Sequence, residues 1–174
     1  MTDIKGRVLQ VGDIKNKVIQ AQKEIINQLV DCETSIEELY TLYSESIPEL
    51  HDFFHDLAIK EKMHAALLKS MHRYLQKGEL FHNIGRFKTE SIKGFMDNVN
   101  EAIKHARKFS VRPEYAIETA LSIESSFVDA HFYDIVESDA PEFQHVAKRL
   151  SKDTKEHVKS VQKKLIDLQD CEDK

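Results

Sequence analysis

The sequence predicts an all-helical protein: an antiparallel four-helix bundle with extra helices at the N-terminus and at the crossover between two hairpins. Three observations carry this. Helix breakers are scarce, 5 Gly and 3 Pro in 174 residues, whereas the helix formers Lys, Glu, Leu, Ala and Gln are abundant. Apolar residues recur at steps of three and four over long stretches, and no stretch alternates apolar and polar residues as a half-buried strand does. Finally, two proline-led segments repeat each other. With Pro48 aligned to Pro141, Glu49 meets Glu142, Leu50 meets Phe143, Leu57 meets Leu150 and His64 meets His157, each histidine lying 16 residues after its proline. A repeat at this distance predicts two helical hairpins packed about a pseudo-twofold axis.

Taken in order, residues 1–12 read as an irregular lead-in with Gly6 and Gly12 as breakers. Ile14, Val18, Ile25 and Leu29 place a helix at about 13–30 that either runs into the next or bends near Asp31. Residues 31–46 carry Ile36, Leu39, Tyr40 and Tyr43 on one face. Pro48 suits the first turn of a new helix, where its missing N–H costs nothing, and Gly78 suits that helix's C-terminal cap. Residues 78–88 read as a loop, Thr89 as the cap of a helix to about Ser110, and Pro113 as the start of a helix to about 137. Ser138, Asp139 and Pro141 mark a sharp turn before a last helix to about Gln169. The organisation expected is an N-terminal lead-in and helix over 1–30 and the bundle over 31–174, one domain in all.

Composition narrows the function. Apolar residues at 41% and charged residues at 32% are an ordinary globular balance. Thirty acids against 25 bases give a net charge of −5, a poor basis for general nucleic-acid binding. No apolar run approaches the length of a membrane span, and the first residues lack a signal-peptide core. Cys32 and Cys171 form no disulfide framework and fit a reducing, cytoplasmic setting. Glycine-rich phosphate loops and nucleophile elbows are missing, so nucleotide and acyl chemistry have no support.

Chemistry enters where the apolar seams are interrupted. The inner face of the helix after Pro48 reads Leu50, Phe54, Leu57, Glu61, His64, Leu68, Met71. The last helix reads Phe143, Val146, Leu150, Asp153, His157, Leu165. Glu33 is in line with Ile36, Tyr40 and Tyr43, and Glu124 with Ile117, Leu121, Val128 and His131. Each of four helices therefore places an acid near the middle of its inward face, and two add a histidine one turn on. Such groups are costly in a core unless compensated. A cation with oxygen and nitrogen ligands compensates all of them, and iron and manganese both accept that set. The candidate ligands are Glu33, Glu61, His64, Glu124, Asp153 and His157. Tyr40 and Tyr133 are expected in the core, with a hydroxyl available to a carboxylate. His131 is a further ligand or outer-layer candidate.

Glu61-Lys-Met-His64 resembles the Glu-x-x-His element of ferritin-like di-iron proteins, and Glu33 with Tyr40 seven residues on is similar to the first-helix signature of rubrerythrins. In such proteins two helices each give a Glu and two each give Glu-x-x-His. The resemblance covers about 31–77 and 113–169. It implies a ferritin-like bundle holding two iron ions, and ferrous iron as electron source for reducing oxygen or peroxide. The expected function is a non-haem di-iron oxidoreductase, a ferroxidase or a peroxidase. A peroxidase would need an external electron donor, because this chain lacks the four-cysteine iron domain of full-length rubrerythrins.

The pattern departs from the family at one position. Thr154, three residues before His157, stands where the second Glu-x-x-His has its Glu. Three outcomes follow: a di-iron site with Asp153 or water substituting, a single-metal site, or a degenerate site on a helical structural or interaction module. The register of the fourth ligand helix also stays open. Matching by tyrosine pairs Tyr133 with Tyr40 and sets Ser126 opposite Glu33, while matching by acid sets Glu124 there and is preferred. The helices at 13–30 and 89–110 either cap the bundle or form a homodimer contact.

Overall fold

The computed structural model describes residues 11–77, 89–130, 132–133 and 141–172, and those residues are helical apart from short links. α1 spans Val11–Ser46, a 3-10 turn Pro48–Leu50, α2 His51–Gln76, α3 Thr89–Lys108, α4 Pro113–Asp129 and α5 Pro141–Glu172. No helix among the described residues is long and apolar enough to cross a membrane.

The two helices expected at 13–30 and 31–46 are one. α1 is 36 residues long, about 54 Å at the α-helical rise. It passes through Asp31 unbroken because its buried face never changes phase: Gln22, Ile25, Ile26, Leu29, Cys32, Glu33, Ile36, Tyr40 and Tyr43 follow one another at steps of one, three and four. Gly12, expected as a breaker, lies in its first turn, where glycine's cost of about 1 kcal/mol is readily offset by the turns that follow.

Proline sets two boundaries. A residue before proline is pushed out of the helical region. Ile47 is accordingly extended at φ −125°, ψ 90°, so α1 ends at Ser46 and the chain turns back into α2. Arg112 is extended before Pro113 at φ −75°, ψ 145°. α4 stops at Asp129, earlier than the expected 137. α3 ends two residues short of Ser110 and α5 continues three beyond Gln169. The lead-in over 1–10, the loop at 78–88, the turn at Ser138–Asp139 and His131 lie outside the described residues.

α1 packs most extensively on α2, and α4 on α5; α1 also meets α3, and α2 meets α5. The repeat read from sequence has matching burial: Leu50 and Phe143, Leu57 and Leu150, and His64 and His157 are all buried. One continuous core results, with Phe54 between Tyr40 and Tyr43 and an edge-on cluster of Phe95, Phe127 and Phe132 where α3 faces α4. Cys32 is buried and free.

Candidate metal centre

The polar interruptions of the four seams meet at one place. Glu33 of α1, Glu61 and His64 of α2, Glu124 of α4 and His157 of α5 are each no more than 2% exposed. Glu61 is the centre. Its Oε2 lies 3.0 Å from Nδ1 of His64, and its Oε1 lies 2.9 Å from Nδ1 of His157. Each of those nitrogens has a second carboxylate nearby: Glu33 Oε2 is 3.7 Å from His64 Nδ1, and Glu124 Oε2 is 3.7 Å from His157 Nδ1. The arrangement is near-symmetric, with one acid shared and one acid and one imidazole on each side. The two imidazoles stack at 5.2 Å with 21° between their planes. Ligand atoms of Glu61, His64 and His157 all fall within 4.8 Å of one another.

Tyrosines hold the outer acids. Tyr40 of α1 donates to Glu124 at 2.8 Å, and Tyr133, beyond the end of α4, donates to Glu33. Each hydroxyl thereby fixes the acid of the opposite hairpin. Burial, with the adjacent Glu124 or Glu33, holds both phenols well above their ordinary range, so they stay protonated donors.

Side-chain charge alone leaves the cluster strained. Burial pushes the Glu33 carboxyl up to about 8, and burial with the nearby Glu61 charge also raises Glu124. Burial opposes ionisation of Glu61 too, yet hydrogen bonds from His157 and His64 outweigh it and hold Glu61 below the usual carboxylate range. Burial disfavours charge on the imidazoles, but Glu33 and Glu61 raise His64 to about 10, and Glu124 and Glu61 raise His157 to about 9. Protons thus do the compensating that a cation would do.

Glu61 Oε1 and His157 Nδ1 are 2.9 Å apart, and the buried ligand atoms of Glu61, His64 and His157 lie close enough together for one cation to take the protons' place. The donor set of carboxylate oxygens and imidazole nitrogens suits iron or manganese.

The structure brings together five of the six residues read from sequence and sets Asp153 apart. Asp153 is 32% exposed and its Oδ2 lies 3.7 Å from Nε2 of His64, the ring nitrogen not turned to Glu61 and Glu33. It also lies 3.6 Å from Nε of Arg149. Asp153 thus approaches His64 on the side facing the surface, half-buried where the other five are buried. Thr154 takes the buried position instead, and its hydroxyl donates to Leu150 O at 3.1 Å. The fourth-helix register is decided: Glu124 is buried while Ser126 and Asp129 are exposed. Sequence reasoning missed Arg149, although its place one turn before Asp153 was a usable signal. Arg149, Lys60 and Met63 line a cleft of about 180 Å³ that reaches His64 and His157 from the surface.

No protein-family model, curated protein or solved structure matches this chain.

Proposed function

We propose that the chain is a ferritin-like, rubrerythrin-like protein that binds iron at Glu33, Glu61, His64, Glu124 and His157 and works as a non-haem di-iron oxidoreductase. α1, α2, α4 and α5 are the four helices of its bundle, and α3 is the crossover helix against α1. The observation that carries this reading is the buried convergence of Glu61, His64 and His157, with ligand atoms within 4.8 Å of one another. Around it, the near-twofold set of acids and imidazoles offers each of two ions one histidine, one outer acid and a share of Glu61.

Ferrous iron bound there would supply the electrons that reduce oxygen or peroxide. The chain's own residues do the rest. Glu61 joins the two halves, and Tyr40 and Tyr133 orient the outer acids, the kind of outer contact that orients a ligand. The surrounding core is apolar, and the cleft past Lys60, Met63 and Arg149 gives solvent a route to His64 and His157. Manganese fits the same donors. Ferroxidase activity needs nothing more from the chain, whereas peroxidase activity needs an external reductant. A cytoplasmic setting is consistent with both.

Thr154 favours a second reading, a helical interaction module whose metal site has decayed. Metal per chain after aerobic Fe(II) loading separates the two, together with the near-ultraviolet absorbance of an oxo-bridged ferric pair. About two irons per chain with that band is expected. Iron at background with intact helical circular dichroism would leave the module reading in place.

A further inference from the structure

The start of α2 carries a second set of metal-ligating side chains, away from the buried cluster. His51 and His55 are one helical turn apart on the same face, and both are exposed. Their rings lie alongside each other, with centroids 5.8 Å apart and planes 8° from parallel. Two histidines at this spacing on a helix are a chelating pair, each able to turn one ring nitrogen to a common point. His55 precedes Glu61 by six residues, about 9 Å of helical rise, so the pair and the buried centre are separate places.

A hydrogen bond to the preceding helix readies His51 for this. Its Nδ1 lies 3.0 Å from the carbonyl oxygen of Ser44. A carbonyl only accepts, so Nδ1 carries the proton and donates, and the neutral ring keeps its lone pair on Nε2. The opposite tautomer would set two lone pairs against each other at that distance. The Ser44 hydroxyl returns a bond to the His51 carbonyl at 3.1 Å. Ser44 is in the last turn of α1, where carbonyls lack partners within their own helix, so the end of α1 holds the ring. A histidine ligand is commonly oriented in this way, through its other nitrogen on a backbone carbonyl.

The local charge agrees. A surface depression of about 630 Å³ beside His51 is lined by three acids, Glu45, Glu49 and Asp52, against one cation, Lys164. The acids offset the partial positive charge of the helix start and draw cations towards the rings. Imidazole nitrogens suit the late divalent ions, copper most, then nickel and zinc. Manganese and ferrous iron stand at the weak end of that order, so loading with them reports the buried centre. We propose that His51 and His55 form a surface site for one late divalent transition-metal ion, held by Nε2 of His51 and a ring nitrogen of His55. This site stands independently of what the buried cluster binds.

The test titrates the full chain with Cu(II)–iminodiacetate, a chelated ion with positions open for two imidazoles and too bulky for a centre whose ligands are no more than 2% exposed. One ion per chain is expected, with imidazole nitrogen coupling in its electron paramagnetic resonance, and Zn(II) should displace it. His55→Ala removes one ligand and spares the Ser44 bond. It should weaken binding by at least the about 10- to 100-fold that loss of an outer partner costs a metal site, with melting temperature unchanged. His51→Ala should weaken binding as much and also lower the melting temperature, because Ser44 loses its partner. Binding of equal strength in His55→Ala would overturn the site and leave His51 a contact that ends α1. So would a wild-type chain that takes up no Cu(II)–iminodiacetate, or one from which Zn(II) does not displace it.

Discussion

The two hairpins are built alike and equipped differently. α1 with α2 brings two acids and a histidine to the centre, Glu33, Glu61 and His64, whereas α5 and α4 bring one acid and a histidine, Glu124 and His157, with Thr154 at the position matching Glu61. The scaffold around that position is unchanged, since Leu57 and Leu150 are buried alike. The comparison teaches that helical packing constrains volume and polarity at this place but not charge. A threonine hydroxyl that bonds the preceding turn makes no demand on its neighbours, so its helix packs without a cation. Glu61 instead carries its charge between two imidazoles, His64 of its own helix and His157 of α5, and depends on both.

The largest effect should come from the shared acid. Glu61→Gln keeps the shape and removes the charge both imidazoles use. Metal per chain should fall to background by elemental analysis while the helical circular dichroism persists. Normal loading in this variant would mean that the halves do not share a ligand.

A smaller effect should come from the tyrosines, and it should be equal on the two sides. Tyr40→Phe frees Glu124 and Tyr133→Phe frees Glu33. Losing an outer hydrogen bond of this kind weakens metal affinity by about 10- to 100-fold. Titration of Mn(II) into each variant checks it. A loss on one side only would show that the twofold likeness is one of shape and not of chemistry.

The mildest probe is pH. His64 and His157 are raised from 6.5 to about 10 and about 9 in the folded chain, and Glu33 from 4.5 to about 8. For all three the folded state holds protons that the unfolded state has released, so their contribution is complete below the unfolded values and fades as pH rises towards the folded ones. Metal-free protein should therefore lose stability from about pH 5 upward to about pH 10. Metal replaces those protons, so the rise in melting temperature on adding Mn(II) should be larger at pH 8 than at pH 6. A rise that shrinks over that interval would contradict the assignment of these groups as ligands.

Much of this was legible in the chain. Glu61 and His64 stood out because steps of three and four left no other face for them, and the proline-to-histidine repeat pointed to His157. Matching by acid selects Glu124 over Ser126, and the structure buries Glu124 and exposes Ser126. Other features were beyond a reading by pattern. Asp153 and Thr154 are about 100° apart on the helix, and both fall within the width of a buried stripe, so spacing alone does not say which faces inward. The end of α4 at Asp129, with Tyr133 beyond it bonded to Glu33, has no proline or glycine nearby in sequence to announce it.

The crossed tyrosines have a mechanical consequence. α1 and α4 pack far less closely than the pairs α1–α2 and α4–α5, yet two phenols join the hairpins: Tyr40 of α1 bonds Glu124 of α4, and Tyr133, just past the end of α4, bonds Glu33 of α1. A single pin between two rods still allows rotation about it; two pins lock both slide and twist. The relative register of the hairpins is thus latched by a pair of side chains of the same type, and slippage by one helical turn would release both latches together.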